Sequence, residues 1–335
     1  MSKLTVQPYQ PELSARWDDF VMNHSMNGTF LQSRRFLSYH PEGRFQDASV
    51  IVLEGQEWVA VVPAAEQLID GEKWLRSHPG STFGGPVVSP LLLRAPKLVE
   101  MVEALDDYWS ARYAVAELKL TSDLFATLPT DALQYALYHA GYTDELEIAA
   151  YLPLDRPYEA LRADYSFNKR YDLKKCEKAG YRDAPITDEK GLADFYDLLC
   201  LNLQKFDAKP VHTLPELKDF VFDRLKDECA VLGVYDQEER LCAGAFLFHF
   251  AQTNTLHTQY LATHPEAKGV STYLYDSVIR AALSRGCGKV SFGTSTHDRG
   301  RVLNTGLIQN KEGYGAIHSL NRIYTRRYPK EATNP

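Results

Sequence analysis

The stretch FGTSTHDRGRVLNTGLIQNKEGYGA, residues Phe292–Ala316, carries most of the information about the fold and the function of this chain. It contains five glycines and three threonines, and the charged pair Lys311 and Glu312 lies near its end. Glycine lets a backbone approach a ligand closely, and a fixed charge beside it suits the binding of an anion or a polar substrate. A glycine-rich hairpin that caps a sheet, with Lys311 in solvent, would produce the same local pattern.

The elements before this stretch predict an α+β fold. Hydrophobic periodicity and turn signals indicate the following order: helix Leu214–Glu228, strands Ala230–Tyr235, Leu241–Phe250 and Thr255–Ala262, helix Thr272–Ser284 and strand Lys289–Phe292. The first half of the chain also mixes helix and strand signals. Because 335 residues exceed what one hydrophobic core usually organises, we predict two domains, residues 1–150 and 151–335.

Composition excludes several classes of protein. The 37 basic and 44 acidic residues give a net charge of −7, which argues against a general electrostatic grip on nucleic acid. The amino end lacks the layout of a secretory signal, and no apolar run is long enough to cross a bilayer, so we predict a cytoplasmic protein without a membrane span. The five cysteines form no Cys-x-x-Cys motif, so we predict neither a disulfide framework nor a metal site.

Two further motifs stand out. The loop SHPGSTFGGP, Ser77–Pro86, holds three glycines and two prolines around His78 and Thr82. Such a composition produces an irregular backbone that can approach a ligand, and an ordinary structural turn explains it equally well. The basic segment SFNKRYDLKKCEKAG, Ser166–Gly180, places three cations on one helical face, which suits a phosphate-bearing partner or simply a solvated surface. These cations are Arg170, Lys174 and Lys178. Clustered aromatics for stacking on bases are not evident beside them.

These motifs and the segment NTGLIQNKEGYGA, Asn304–Ala316, resemble the GNAT acyltransferases, and specifically their FemAB-related branch. The last segment is similar to the Gly-Leu, Lys and aromatic-Gly signature of that branch. The resemblance implies two GNAT-like domains in tandem, with mixed, mostly antiparallel sheets flanked by helices. It also implies a functional lysine at Lys311, with Tyr314 in the aromatic position. FemAB proteins proper resemble users of aminoacyl-tRNA, whereas related branches resemble users of acyl thioesters.

The resemblance also locates a donor site. In single-unit GNAT enzymes a Gln/Arg-x-x-Gly-x-Gly/Ala loop binds the pyrophosphate of coenzyme A, and here the corresponding sequence is EAKGVS, Glu266–Ser271. Backbone N–H groups at a helix start suit a pyrophosphate. We therefore predict that acyl-CoA is bound by Lys268, Gly269, Val270, Ser271 and Thr272. The alternative is an ordinary helix entry with Ser271 as its N-cap.

Acyl transfer to an amine requires a proton acceptor and hydrogen-bond donors that face the developing oxyanion. By the resemblance, the strand Thr255–Ala262 supplies such donors where it splays from its neighbour. Period-two alternation predicts His257 and Gln259 on one face and Tyr260 on the other. His257 could take the proton, or it could be a histidine packed within the sheet, and His249 is a weaker candidate for the same role.

Other side chains complete the predicted site. Lys311 could hold a phosphate or stabilise developing negative charge, and Glu312 could accept a proton, or the two could form an exposed ion pair of little value. We expect the loop Ser77–Pro86 to line the acceptor side of a cleft between the domains. The predicted substrate-binding residues are Ser77, His78, Thr82, Gly84, Tyr260, Ser295, Thr296 and Asn304.

The favoured hypothesis is an N-acyltransferase that moves an acyl group from acyl-CoA to an amino sugar, one that is linked to a nucleotide. The sugar is implied by resemblance to acyltransferases of surface polysaccharide pathways. Direct attack by the amine is predicted because no Ser-His or Cys-His pair is evident. This hypothesis involves small-molecule substrates and no nucleic acid. The alternatives are an aminoacyl-tRNA-dependent ligase that acts on a cell-wall precursor and a non-catalytic GNAT-like scaffold. The acyl chain and the oligomeric state are left open.

Overall fold

This computed structural model describes residues 3–204 and 207–329 of the chain. The described residues fall into two units. Unit 1 consists of residues 3–147, 298–301 and 320–329, and unit 2 consists of residues 148–204, 207–297 and 302–319. The stretch Phe292–Ala316 therefore contributes residues to both units.

Seventeen strands occur among the described residues. In chain order they are β1 (Leu4–Pro8), β2 (Gln46–Asp47), β3 (Val50–Glu54), β4 (Glu57–Val62), β5 (Ala65–Ile69), β6 (Glu72–Arg76), β7 (Val87–Val88), β8 (Val115–Lys119), β9 (Thr143–Pro153), β10 (Arg182–Pro185), β11 (Cys229–Tyr235), β12 (Leu241–Phe250), β13 (Thr255–Thr263), β14 (Lys289–Thr294), β15 (Thr296–His297), β16 (Val302–Leu303) and β17 (Ile317–Arg327).

The α-helices of the described residues are α1 (Ser14–Asn23), α2 (Arg34–Leu37), α3 (Ala95–Ser110), α4 (Asp131–His139), α5 (Tyr158–Ala163), α6 (Phe167–Lys178), α7 (Glu189–Gln204), α8 (Leu214–Asp219), α9 (Val270–Ser284) and α10 (Thr305–Glu312). Short 3₁₀ turns connect several elements, and a π-helical turn, Phe220–Arg224, follows α8. The helix predicted over Leu214–Glu228 is therefore α-helical only as far as Asp219.

Unit 1 is built from two sets of strands. One is an antiparallel sheet in the order β1-β3-β4-β7. The other has the order β17-β8-β6-β5-β2, in which β6 and β8 are parallel and the other pairs are antiparallel. The β-branched runs of β3 and β4 form a hairpin because Gly55 takes a φ of +66° at the turn.

Unit 2 contains strands in the order β10-β11-β12-β13-β14-β9. The pair β13 and β14 is parallel, and the other pairs are antiparallel. Helix α9 lies against this sheet with ten buried residues along its length, among them Leu274 and Val278, both at 0% exposure. An apolar surface on almost every side is typical of a helix packed between other elements.

The sequence predicted the class and most elements of unit 2 correctly. The α+β class with mixed, mostly antiparallel sheets flanked by helices is confirmed. The predicted strand Leu241–Phe250 has the observed bounds, and the observed β13, β14 and α9 extend the predicted elements by one or two residues. Each unit also has its own apolar core, centred on Leu274 in unit 2 and on Leu105 in unit 1.

Candidate active site

The parallel ladder between β13 and β14 covers three residues of each strand and ends at His257 and Ser291. Both strands are bulged just beyond that point. Gln259 is an extra residue of β13 opposite β12, and Phe292 is an extra residue of β14 opposite β9. Because a bulge bends its strand and increases the local twist, the two bulges explain why the shared ladder ends there. The parallel pairing therefore ends within the strand that was predicted to splay from its neighbour, and the splay itself stays a prediction.

The bulge at Gln259 corrects the predicted faces of β13. Phe248 and Phe246 lie two residues apart on β12, and they oppose His257 and Tyr260. Residues two apart on a strand share a face, so His257 and Tyr260 also lie on one face. The prediction that placed Tyr260 on the other face is wrong because a period of two holds only for an unbroken strand.

His257 is partly buried at the end of the ladder. Its Nδ1 lies 3.0 Å from the hydroxyl of Ser291, and its ring centroid lies 6.2 Å from that of Phe250. Burial, and then the charge of Lys311, lower the pKa of His257 to about 4, while a hydrogen bond with Gln259 acts in the opposite direction. The imidazole is therefore neutral at pH 7 and able to accept a proton.

Tyr260 lies on the same face but is engaged by a second histidine. Its hydroxyl is 2.5 Å from Nδ1 of His212, whose side chain is buried. Burial is the main cause that raises the pKa of Tyr260 to about 12. The phenol is therefore protonated at neutral pH, and its part in substrate binding stays a prediction.

The predicted donor loop leads directly into α9. Gly269 is the N-cap with a φ of +79°, and the helix begins at Val270. Val270 and Thr272 are buried, whereas Lys268 and Gly269 are exposed. The alternative in which Ser271 is the N-cap is wrong because Ser271 is the second residue of the helix. The N–H groups of Val270 and Thr272 donate hydrogen bonds of 3.4 Å and 2.9 Å to the carbonyls of Ala267 and Gly269. Gly269 itself has no side chain to act as a cap, and N–H groups at a helix start suit an anion.

Lys311 is a buried cation in α10, with 2% of the residue exposed. Its Nζ donates hydrogen bonds of 2.9 Å to the carbonyl of Gly293, 2.7 Å to the carbonyl of Thr294 and 2.8 Å to the hydroxyl of Ser295. Burial lowers the pKa of Lys311 to about 8. An ammonium has three donors, and all three are used here at the end of β14. The alternative of a solvated Lys311 is wrong, and its N–H groups are not presented to a substrate phosphate.

Glu312 lies at the end of the same helix in a different environment. Its side chain is 42% exposed, and its Oε1 lies 3.0 Å from Nε2 of His318. The alternative of an exposed Lys311–Glu312 ion pair is therefore wrong, because the two residues have different partners. A role for Glu312 as a proton acceptor stays a prediction.

The other polar residues of this stretch organise the backbone. Asn304 caps α10 by accepting a 3.0 Å hydrogen bond from the N–H of Leu307, and its own N–H donates to the carbonyl of Ser295. Thr296 is partly buried in β15, which pairs with β16. The glycine-rich hairpin expected as an alternative is limited to β15 and β16. The signature that follows is a helix because Asn304 supplies its cap.

We name His257, Ser291, Gly293, Ser295 and Lys311 the strand-end cluster. A Cβ atom placed on Gly293 would lie 3.4 Å from Cε1 of His257, and the φ of Gly293 is +70°. In this cluster the neutral base His257 and the buried cation Lys311 both contact the end of β14. Ser291 and Gly293 were not predicted, because the parallel register that brings them to His257 pairs residues distant in sequence.

The predicted residues of the Ser77–Pro86 loop belong to unit 1. The hydroxyl of Ser77 accepts a 2.6 Å hydrogen bond from the N–H of Lys119. The N–H of Gly84 donates a 2.9 Å hydrogen bond to the carbonyl of Lys119. Both ends of the loop are thereby attached to β8. This arrangement matches the structural-turn interpretation for Ser77 and Gly84, while Thr82 is partly buried within the loop.

His78 packs inside unit 1. It is 5% exposed, and its ring stacks on that of His40 at 5.6 Å between centroids. Burial lowers the pKa of His78 to about 4. His78 also lines a cavity of about 610 Å³ together with Tyr9 and Phe45. Contact of this loop with an acceptor stays a prediction.

Replacing Gly84 with alanine should destabilise unit 1. The new Cβ atom would lie 2.3 Å from Cβ of Ser77, so the loop or β8 must shift, at a cost of about 1–3 kcal/mol in the free energy of unfolding. Urea denaturation measures this change. Gly288→Ala is the matched control, because its Cβ atom would lie 3.9 Å from the carbonyl oxygen of Asn254, an ordinary contact. Equal stability of the two variants would contradict the packing described for Gly84.

One segment of the chain matches a known family model. Residues 166–299 match the family model described as an acetyltransferase (GNAT) domain. This range contains α6, β13, α9 and β14, and thus His257, Ser291 and the donor loop. Among curated proteins, none matches the chain significantly by sequence.

Three solved structures share the fold over almost the whole chain. FemX has 12% sequence identity and a TM-score of 0.68, and the match covers 95% of this chain and 96% of FemX. L-PGS from Bacillus licheniformis has 11% identity and a TM-score of 0.61, with 97% and 94% covered. A tandem GNAT protein from the clavulanic acid biosynthesis pathway has 13% identity and a TM-score of 0.56, with 98% and 100% covered. The chain thus has the fold of tandem GNAT proteins, contains a GNAT domain within residues 166–299, and is an acyltransferase.

Proposed function

We propose that this acyltransferase moves an acyl group from an acyl-CoA thioester to the amine of an amino sugar, one that is linked to a nucleotide. The observation that carries this proposal is the end of the β13–β14 ladder, where two bulges coincide with a neutral histidine. Beyond the ladder, backbone donors of β13 can face a thioester carbonyl, and His257 lies beside it. The donor loop Lys268–Thr272 would hold the pyrophosphate through the first turn of α9.

In this proposal the neutral amine attacks the thioester carbonyl carbon directly. The premise that no Ser-His pair exists is wrong, because His257 lies 3.0 Å from the hydroxyl of Ser291. Direct attack is still the proposal, because Ser291 is buried at 1% exposure and its hydroxyl is not presented to a thioester. The C–N bond forms, the carbonyl oxygen becomes an oxyanion that accepts hydrogen bonds from the backbone of β13, and the C–S bond then breaks. His257 takes the proton that the amine loses. Because a thiol has a pKa of about 8.5 and the imidazole holds protons far less tightly, the proton passes on to the departing sulfur and CoA leaves as the thiol.

Lys311 acts through β14 rather than on the substrate. Its three hydrogen bonds hold the end of the strand, and its charge helps to keep His257 neutral. We propose that Lys311 is a positioning residue, whereas His257 touches the reacting atoms. The substrate-binding roles of Ser295, Thr296 and Asn304, and the domain boundary at residues 150 and 151, stay predictions.

Mass spectrometry of reaction mixtures tests this function. The purified protein is offered a panel of acyl-CoA thioesters with nucleotide-linked amino sugars, and free thiol is measured in parallel. We expect one amino sugar to gain the mass of the acyl group, with one equivalent of CoA thiol released. Acyl-labelled protein in a burst phase would contradict direct attack.

Two control arms address the other hypotheses. Transfer from aminoacyl-tRNA to a cell-wall precursor, with no turnover of any acyl-CoA, would favour the ligase hypothesis. A non-catalytic scaffold predicts no turnover and no thermal shift with any acyl thioester, even at ligand concentrations far above a typical Kd. Each of the three hypotheses therefore predicts a different measured result.

A further inference from the structure

Helix α6 presents an exposed face that the proposed acyl transfer does not use. Leu173 and Cys176 form the buried side of the helix, at 0% and 2% exposure. On the outward side, Phe167 is 72% exposed and Tyr171 is 51% exposed. Three exposed lysines lie on the same side. We name Phe167, Tyr171, Lys174, Lys175 and Lys178 the aromatic–lysine face. The sequence did not predict aromatics beside these cations, because two rings four residues apart form a cluster only when a helix aligns them.

The two rings and one lysine form a column along the helix. The rings of Phe167 and Tyr171 are parallel within 10°, with centroids 6.3 Å apart. Nζ of Lys175 lies 4.3 Å from the centroid of the Tyr171 ring, one turn further along. Lys175 therefore covers one face of the Tyr171 ring. Both aromatic side chains remain substantially exposed beside the lysines.

The three lysines of the aromatic–lysine face lie on the solvent-exposed side of α6, without an acidic partner among the residues that the structure describes. Of the two acidic residues in α6, Glu177 is paired with Arg162 at 2.7 Å, and Asp172 lies on another side of the helix, its Cβ 4.0 Å from where a Cβ of Gly269 would be. Within residues 3–204 and 207–329, no ion pair involves Lys174, Lys175 or Lys178. The aromatic–lysine face is therefore cationic in a chain whose net charge is −7.

We propose that the aromatic–lysine face docks on an anionic phospholipid surface. Lysines attract anionic headgroups, and aromatic side chains settle at the boundary between headgroups and acyl chains. None of the described helices could span a membrane. The proposed contact is with the membrane surface, because Leu173 and Cys176 hold the other side of α6 in the core of unit 2. Single-stranded nucleic acid fits less well, because base stacking needs open ring faces and one face of Tyr171 is already covered by Lys175.

Vesicle flotation with the full chain tests this inference independently of acyl transfer. The protein should float with vesicles of phosphatidylcholine and phosphatidylglycerol and not with phosphatidylcholine alone, and added salt should weaken the binding. Each lysine near a membrane surface contributes about fivefold to partitioning, so the double variant Lys174→Gln/Lys175→Gln should bind about 25-fold more weakly. The variant Phe167→Ala/Tyr171→Ala should bind about tenfold more weakly.

A matched control separates this face from exposed aromatics in general. Tyr135 and Tyr138 of α4 are 53% and 73% exposed, and Tyr135→Ala/Tyr138→Ala should bind vesicles as the unchanged protein does. Circular dichroism checks that every variant is folded. Absence of binding to anionic vesicles overturns the proposal. So does equal binding by the lysine double variant, and so does binding to a single-stranded oligonucleotide without binding to vesicles.

Discussion

Replacing His257 with glutamine should lower kcat/KM at pH 7 by about 10²–10³-fold, the usual contribution of a positioned proton acceptor. The side chain is partly buried and its pKa of about 4 keeps it neutral, so the wild-type protein has the base in the required form throughout the neutral range. Glutamine retains a polar side chain of similar size but cannot take the proton. Steady-state release of CoA thiol, with the substrate pair found by mass spectrometry, measures the change.

His249 supplies the control for this prediction. It lies on β12 opposite Leu256 and therefore on the other face of the sheet from His257. His249→Gln should leave kcat/KM within about threefold of the wild-type value. Equal losses in the two variants would show that the effect arises from the packing of the sheet, and His257 would then not be the proton acceptor.

The pH dependence of stability and of kcat/KM below pH 7 gives a second test of His257. The folded-state pKa of His257 is lowered from 6.5 to about 4. The unfolded state therefore binds more protons between these values, and the stability contributed by the neutral imidazole is present above pH 6.5 and lost as the pH falls towards 4. His257→Gln should reduce this loss in the free energy of unfolding. Protonation of the substrate amine lowers kcat/KM at higher pH, and protonation of His257 should add a further fall in kcat/KM only as the pH approaches 4.

Local sequence patterns were sufficient for the elements that carry the donor loop. The apolar periodicity of α9 and the continuous run of apolar and aromatic residues in β12 predicted their types and nearly their bounds, because both elements are buried along most of their length. Gly269 was predicted to lie at the start of α9. Its role as the N-cap with a φ of +79° was not predicted.

Long-range geometry decided what the sequence could not predict. The bulge at Gln259 exists only relative to β12, and it moves Tyr260 to the face of His257. The burial of Lys311 depends on two carbonyls and a hydroxyl from the end of β14, which α10 meets only in the folded chain. A charged residue followed by another charge normally indicates a solvated surface, so an exposed pair was the alternative to a functional Lys311. Asn304 was the local signal that the segment begins with a helix.

Replacing Lys311 with methionine should destabilise the protein by about 3 kcal/mol and also abolish most turnover. Removal of the ammonium leaves three acceptors at the end of β14 unpaired, each at a cost of about 1–3 kcal/mol when buried. Against this, the wild-type protein loses about 3 kcal/mol by burying the charge, as the lowered pKa of Lys311 indicates. In the variant, the free energy lost with the three hydrogen bonds is larger than the free energy gained because the charge is no longer buried. Lys190, whose side chain is 87% exposed, supplies the control, and Lys190→Met should change stability by about 0.5 kcal/mol or less.

The difference in the free energy of unfolding between the wild type and Lys311→Met should depend on pH if Lys311 is a buried ammonium, and should not if it is an ordinary packing residue. The pKa of Lys311 is lowered from 10.5 to about 8 on folding, so the unfolded state binds more protons between these values and wild-type stability rises with pH across that range. Methionine does not titrate, and therefore the gap in the free energy of unfolding between wild type and Lys311→Met should widen from pH 8 to pH 10. A gap that is constant with pH would mean that the lysine is not buried as a charge.

Turnover tests whether Lys311 positions the cluster or acts only on stability. Arginine keeps the charge at all accessible pH values, so Lys311→Arg should recover part of kcat and remove any decline of kcat that begins near pH 8 in the wild type. Measured well below the Tm of each variant, Lys311→Met should lose kcat while KM for acyl-CoA changes little, because the donor loop lies on α9 and not on α10. If kcat per folded molecule is unchanged in Lys311→Met, the cation holds β14 without influence on His257, and the link between the two residues of the strand-end cluster has no part in catalysis.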